Sequence, residues 1–180
     1  MDSDQIEVEF RAIFDKVKFE QLKTYLDKNA TDQGQDDKNV FFYVYSDKFV
    51  KVVDNVSQKT AKLVLKLTKI GRGTNFDETE IPIDPAYIPK AVKFFSHLCP
   101  NPVMESFQQR RNYLLKGVEV SLKYSQNWGY HLELEVVINH LSQKTAAVKK
   151  IKNIAQELDV KLMTETEIRQ FIKKFEKGFK

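Results

Sequence analysis

The chain of 180 residues is 42% hydrophobic and 30% charged, as is usual for a globular protein, and its length suits one domain with a sizeable core. Its net charge of +4 is too small to indicate a nucleic-acid partner by itself, and no apolar run approaches the length that spans a membrane. The single cysteine, Cys99, excludes an internal disulfide and favours a reducing, cytoplasmic location, and the acidic first residues predict no secretory signal.

Strands dominate the predicted elements, because runs of alternating apolar and polar residues recur along the chain. We predict eight strands, near residues 5–13, 40–45, 49–54, 62–70, 77–83, 104–113, 117–124 and 130–138. Helical spacing of apolar residues and capping signals predict four helices: 15–28, Asp84 to Leu98, one capped by Ser142, and one after the capping box at 164–167. The composition of residues 29–38 predicts a surface loop, and that of residues 71–75 predicts a turn. Neither segment divides the chain, so we expect a single domain over 1–180.

The first and last predicted strands share a charge pattern. Glu7, Glu9 and Arg11 lie on one face of a strand whose other face is apolar, and Glu133 and Glu135 repeat the acidic part downstream. Such a charged face usually lies in water. If helices cover the apolar face of a closed sheet, however, the charged face lines a lumen, where paired carboxylates and nearby bases suit a metal ion and a polyanion.

The pattern resembles the CYTH family, also called triphosphate tunnel metalloenzymes. That family opens with an alternating Glu-x-Glu-x-Lys strand, which here reads Glu7-Val8-Glu9-Phe10-Arg11. Three interior segments are similar to basic strands of the family and follow in the same order: Phe49–Val53, Leu63–Lys66 and Phe107–Tyr113. The late acidic strand of the family is similar to Gly129–Glu135. The resemblance covers residues 5–138 and extends to the C-terminal helices.

The resemblance implies an α+β fold, an eight-stranded antiparallel closed β-barrel that forms a tunnel with a polar lumen and is flanked by helices. It implies a metal-dependent phosphohydrolase for inorganic, nucleoside or thiamine triphosphate, with Mg²⁺ or Mn²⁺ as the cofactor. The implied metal ligands are Glu7, Glu9, Glu133 and Glu135, and the implied catalytic residues are Glu7, Glu9 and Lys66. The implied substrate-binding residues are Arg11, Lys51, Lys66, Arg110, Arg111 and Lys123. Of the adjacent arginines, strand parity favours Arg111 for the lumen, although a bulge could exchange the two.

Three residues depart from the family pattern. Val53 and Gln109 stand where bases are usual, and Lys123 stands where an aspartate is expected. Lys123 would either compete with the metal for Glu133 or Glu135, or bind phosphate itself. Two alternatives stay open. The stretch His131–Glu135 resembles the branch of class IV type adenylyl cyclases, which form cyclic AMP from ATP. The departures motivate a non-catalytic polyphosphate- or nucleotide-binding protein. We expect a triphosphate-containing small molecule as the partner, and neither a nucleic acid nor a membrane. A homodimer is the assembly that we consider.

Overall fold

The computed structural model describes residues 6–45, 47–66, 78–99, 101 and 103–177. These residues form an α+β fold whose nine strands belong to one antiparallel sheet, where eight strands were predicted. The strands are β1 (Ile6–Phe14), β2 (Thr31–Gln35), β3 (Lys38–Val44), β4 (Phe49–Asn55), β5 (Thr60–Lys66), β6 (Glu78–Ile83), β7 (Met104–Leu115), β8 (Val118–Ser125) and β9 (Gly129–Ile138). The helices are α1 (Lys16–Asn29), α2 (Ile88–Leu98), α3 (Lys144–Glu157) and α4 (Glu165–Lys177). No helix among the described residues has both the length and the apolar character that a membrane span requires.

The additional strand, β2, lies inside the segment that was predicted to be a surface loop. It pairs antiparallel with β7, from Thr31 opposite Leu114 to Gln35 opposite Arg111, with an irregularity after Asp32. The composition of this segment is polar and includes a glycine, so it lacks the apolar alternation by which a strand is recognised. The surface-loop prediction was therefore wrong for this stretch, because backbone pairing with a neighbouring strand overrides weak local propensity.

The start of α3 also differs from the prediction. Ser142 lies within a 3₁₀ turn, Leu141–Gln143, and does not cap the helix. The turn is held instead by Gln143, whose side-chain oxygen accepts a hydrogen bond from the backbone N–H of His140 at 3.1 Å. A second 3₁₀ turn, Pro85–Tyr87, precedes α2. The turn predicted at 71–75 lies outside the described residues.

The strands follow the order β1-β9-β8-β7-β3-β4-β5-β6, with β2 beside β7. In the described part of the chain this path of pairings begins at β1 and ends at β6, so the predicted closed barrel is not shown. The chain divides into two compact units. The first comprises residues up to 35, 110–124 and 128–164, and the second comprises 36–109, 125–127 and 165 onward. The prediction of one domain stays a prediction.

In the first unit, α1 and α3 pack on the apolar face of the strands. Asp15 starts α1 by accepting a hydrogen bond from the backbone N–H of Lys18 at 2.8 Å, as an N-cap residue does. The buried core of this unit comprises Val8, Ala12, Leu22, Leu26, Tyr113, Leu115, Val118, Val120, Leu122, Leu132, Leu134, Ile138, Ala147, Ile151, Ile154, Ala155 and Leu158. Because neighbouring side chains alternate along a strand, the residues between these positions lie on the opposite face, which carries the charged residues of β1 and β9.

The second unit has the same arrangement on a smaller scale. Helix α2 packs its residues Ile88, Val92 and Phe95 against Tyr43 and the core around it. That core is made of Tyr43, Val50, Val52 and Cys99. The opposite face of β4 and β5 carries lysines around a small buried cluster of Val40, Val53 and Val64. In each unit the helices therefore cover the apolar strand face, as the prediction required.

Candidate functional site

The pairing of β1 with β9 brings the predicted acidic residues together. In their register Glu9 lies opposite Glu135, and Arg11 lies opposite Glu133. Directly opposed residues of an antiparallel pair share one face of the sheet, and Glu7 lies on that same face of β1. The backbone of β1 is held at this point by the N–H of Met163, which donates to the carbonyl oxygen of Arg11 at 2.7 Å. The structure thus gathers all four predicted metal ligands and Arg11 on one strand face.

Arg11 joins the two strands through its guanidinium group. Its Nη2 lies 2.6 Å from Oε1 of Glu9, and its Nε donates to Oε1 of Glu133 at 3.0 Å. Burial alone would lower the pKa of Arg11, but the carboxylates of Glu9 and Glu133 outweigh burial and raise it. Arg11 is therefore a permanent positive charge between two acids.

Lys123 reaches the acidic strand from β8, as the sequence predicted. Its Nζ donates to Oε2 of Glu133, and the residue is only 5% exposed. Burial lowers the pKa of Lys123 to about 8, against the opposing effect of Glu133. Burial would in turn raise the pKa of Glu133, but Lys123, Arg11 and Arg110 hold it well below its ordinary value. Glu133 is thus an ionised carboxylate with a cationic side chain on each oxygen.

The sequence favoured Arg111 for the charged face of the sheet, but Arg110 is the arginine of β7 that lies on that face. Arg110 donates from Nε to Oδ1 of Asn112 at 2.6 Å and from Nη2 to Oγ of Ser121 at 2.7 Å. Arg111 donates instead to Asp32 of β2, from Nε at 3.2 Å. Tyr113 is two residues after Arg111, so both side chains lie on the same face of β7. Tyr113 is fully buried in the apolar core, which places Arg111 on the apolar face. The predicted preference for Arg111 was wrong, and the apolar residues that follow it could have shown this.

Acidic side chains lie around Glu135. Burial, followed by repulsion from Glu7, Glu9 and Glu119, raises the pKa of Glu135 to about 7. Sequence reasoning did not single out Glu119 as a site residue, although it shares strand parity with Lys123. Hard carboxylate oxygens that repel one another fit a divalent cation such as Mg²⁺ or Mn²⁺, which would relieve the repulsion. Among the described residues, however, no three acidic, histidine or cysteine side chains already stand as a metal cage.

Two aromatic residues border Arg11. The ring centroids of Trp128 and His131 lie 5.6 Å apart, and the guanidinium carbon of Arg11 lies 5.6 Å from the centre of a Trp128 ring. Nδ1 of His131 is 3.0 Å from the carbonyl oxygen of Gly129. Burial, followed by the positive charge of Lys123, lowers the pKa of His131 to about 4, so this histidine is neutral at neutral pH. His131 therefore packs as a neutral ring beside Trp128.

The remaining predicted bases belong to the second unit. Lys51 lies opposite Val64, and Lys66 lies opposite Phe49, so the two lysines share one face of β4 and β5. Val53, one of the departures, lies on this face too, within the buried valine cluster. Packed apolar side chains therefore occupy the position where a second base was expected.

Solved structures of other proteins share the antiparallel sheet and its helices. No protein-family model matches the sequence, and no curated protein does either. The fold is similar to that of a conserved hypothetical protein from Pyrococcus furiosus, with a TM-score of 0.68 and 23% identity over 86% of this chain and 91% of that chain. It is also similar to a proposed adenylyl cyclase from Hippeastrum that reveals a dominant triphosphatase activity, with a TM-score of 0.61 and 14% identity over 88% and 89% of the two chains.

A third similar structure is the Mimivirus capping enzyme triphosphatase, with a TM-score of 0.54 and 13% identity over 88% of this chain and 91% of that chain. Identities this low show a common fold and nothing finer. Triphosphatases and adenylyl cyclases are the proteins that a resemblance to triphosphate tunnel metalloenzymes implies. The predicted resemblance is therefore confirmed at the level of the fold.

Proposed function

We propose that this protein is a divalent-metal-dependent enzyme that hydrolyses triphosphate-containing small molecules. The observation that carries the proposal is the register of β1 and β9, which places Glu9 opposite Glu135 and Arg11 opposite Glu133 on one face. Carboxylates suit a hard metal ion, and arginine suits phosphate oxygens. The fold likeness to a capping enzyme triphosphatase supports action on a triphosphate.

The proposed roles follow from position and charge. Glu7, Glu9 and Glu135 would hold Mg²⁺ or Mn²⁺, whereas the fourth predicted ligand, Glu133, already binds two cationic side chains. When bound, such an ion supplies Lewis-acid polarisation of a phosphoryl oxygen and activates water. Glu7 and Glu9 are therefore also proposed as catalytic residues.

The predicted basic residues are proposed to bind phosphate. Arg11 and Arg110 would neutralise phosphate oxygens in the first unit, and Lys51 and Lys66 would do so in the second, where Lys66 is also proposed as catalytic. Arg111 is left out of this set, because it pairs with Asp32 on the other strand face. The closed barrel with a polar lumen that the resemblance implies stays a prediction. A cytoplasmic location is proposed as well, in keeping with the free thiol of Cys99.

Three specific observations favour other functions. The likeness to the Hippeastrum protein, a proposed adenylyl cyclase, favours cyclisation of ATP to cyclic AMP with release of pyrophosphate. The ion pair of Lys123 with Glu133 and the apolar packing of Val53 favour a protein that binds polyphosphate without turnover, because each removes part of the expected catalytic set. These are the second and third candidates.

One experiment separates the three functions. The protein is incubated with Mn²⁺ and either ATP or inorganic triphosphate, and the products are resolved by chromatography. Free phosphate is expected, and cyclic AMP with pyrophosphate would identify the cyclase. A tightly bound but unchanged substrate would identify the binder. Glu135→Ala should abolish turnover, whereas Glu20→Ala, which removes an exposed acid of α1, should leave turnover unchanged. Equal turnover in both variants would contradict the proposed site.

A further inference from the structure

Among the predicted metal ligands, Glu133 contacts two cationic side chains, and Glu9 shares one of them, Arg11. Oε1 of Glu133 accepts from Nε of Arg11 at 3.0 Å, and its Oε2 accepts from Nζ of Lys123. Glu135, by contrast, lies opposite Glu9 and is repelled by Glu7, Glu9 and Glu119. The cluster is therefore divided into a cation-filled end at Glu133 and an acid-rich end at Glu135.

We propose that Lys123 is a built-in cation that takes the place of a divalent metal ion at Glu133. Glu133 then serves as an anchor for Lys123 and Arg11, and the metal would be bound by the carboxylates around Glu135. This inference rests on the proposed metal-dependent function and narrows its donor set. It makes Lys123 a positioning residue, since it acts on metal binding through Glu133.

The burial of Lys123 argues against a role as a phosphate ligand. The residue is 5% exposed and its ammonium group is directed at Glu133. A metal ion that used Glu133 would have to displace an ammonium group that the fold holds in contact, and breaking a buried ion pair from one side is costly. A phosphate group would have to draw the same ammonium group away from a carboxylate. The contact thus explains how a lysine can stand in the place of an aspartate without leaving a buried charge uncompensated.

The test is a titration of Mn²⁺ into the whole protein without substrate. Binding is measured by calorimetry or from the electron paramagnetic resonance signal of free Mn²⁺. Lys123→Met removes the charge and nearly preserves the length, and should tighten Mn²⁺ binding at least about tenfold, the size of one charge-assisted hydrogen bond. Lys123→Arg keeps the charge and should stay within about twofold of the natural protein. Lys123→Gln is a second uncharged variant in case Lys123→Met does not fold, as judged by thermal unfolding.

Arg110→Met is the matched control for net charge. Arg110 belongs to the same cluster and also acts on Glu133, but it donates to the neutral side chains of Asn112 and Ser121. If release of Glu133 is the cause, Arg110→Met should tighten Mn²⁺ binding by less than about threefold. An equal gain in Arg110→Met and Lys123→Met would overturn the inference, because it would show that only the summed charge matters.

The outcomes also separate this inference from the proposed function. If the natural protein binds Mn²⁺ and Lys123→Met does not bind it more tightly, Lys123 does not occupy a metal position and the inference alone fails. If neither the natural protein nor any Lys123 variant binds Mn²⁺, the proposed metal dependence fails and the inference falls with it. If Lys123→Met binds Mn²⁺ and the natural protein does not, the inference is supported while metal dependence of the natural protein is refuted.

Discussion

Glu135→Gln should stabilise the metal-free protein at pH 8 and leave its stability almost unchanged at pH 4. In the fold the pKa of Glu135 is raised to about 7, whereas its ordinary value is 4.5. The folded protein therefore holds this proton more tightly than the unfolded chain does. Stability falls as pH rises from the ordinary value through the raised one, and the loss is complete above it. Glutamine resembles the protonated acid, so it removes a penalty that exists only at the higher pH.

The size of the effect follows from that raised pKa. The interval between 4.5 and about 7 corresponds to roughly 3 kcal/mol, at 1.36 kcal/mol per pKa unit. Glu135 is incompletely buried, so solvent screening reduces this upper limit to about 1–2 kcal/mol. In a chain of this size such a gain raises the melting temperature by roughly 2–8 °C.

Thermal unfolding followed by circular dichroism at pH 4 and pH 8 measures the effect. Glu157→Gln is the matched control, since hydrogen bonds from Lys116 and Tyr25 lower the pKa of Glu157, so that loss of its charge should destabilise the protein at pH 8. Saturating Mn²⁺ should raise the melting temperature of the natural protein more than that of Glu135→Gln, which has lost a donor. A gain from Glu135→Gln of the same size at both pH values would refute the electrostatic reasoning.

Three further predictions test the strand faces and the core. Arg110→Gln should weaken binding of triphosphate by about tenfold or more, whereas Arg111→Gln should not, and calorimetry of both variants measures this. Tyr113→Phe should cost about 1 kcal/mol in chemical denaturation, because the buried hydroxyl donates to Asp27 at 2.8 Å. Leu134→Ala should cost about 2–5 kcal/mol, because the side chain is fully buried; a loss below about 1 kcal/mol would contradict its place in the core.

The strands were predictable from the sequence because one face of each is buried in apolar packing. Val8 and Ala12 lie in the core while Glu7 and Glu9 lie on the other face, so the alternation seen in the sequence is also the alternation of burial. The same logic placed the helices, whose apolar faces cover the strands. The shared face of Glu7 and Glu9 followed from the same alternation, since one face of a strand is fixed once its opposite face is buried.

What could not be predicted depended on contacts between distant parts of the chain. The opposition of Glu9 and Glu135 is a matter of register, and no local signal in either strand sets it. Glu119 joins the acids only because β8 lies beside β9. β2 has almost no apolar signal of its own and is defined by its partner strand, β7.

The charged face carries an electrostatic cost that the fold does not require. Like charges directly opposite each other on neighbouring strands are destabilising, and Glu9 stands opposite Glu135. The apolar residues on the other face of these strands, with α1 and α3 packed on them, already hold the first unit together. A core that is sufficient by itself allows the polar face to keep repelling acids at one end and a buried lysine at the other. The repulsion around Glu135 is what the proposed divalent metal ion would relieve, whereas the ion pair with Glu133 offsets the cost of burying Lys123.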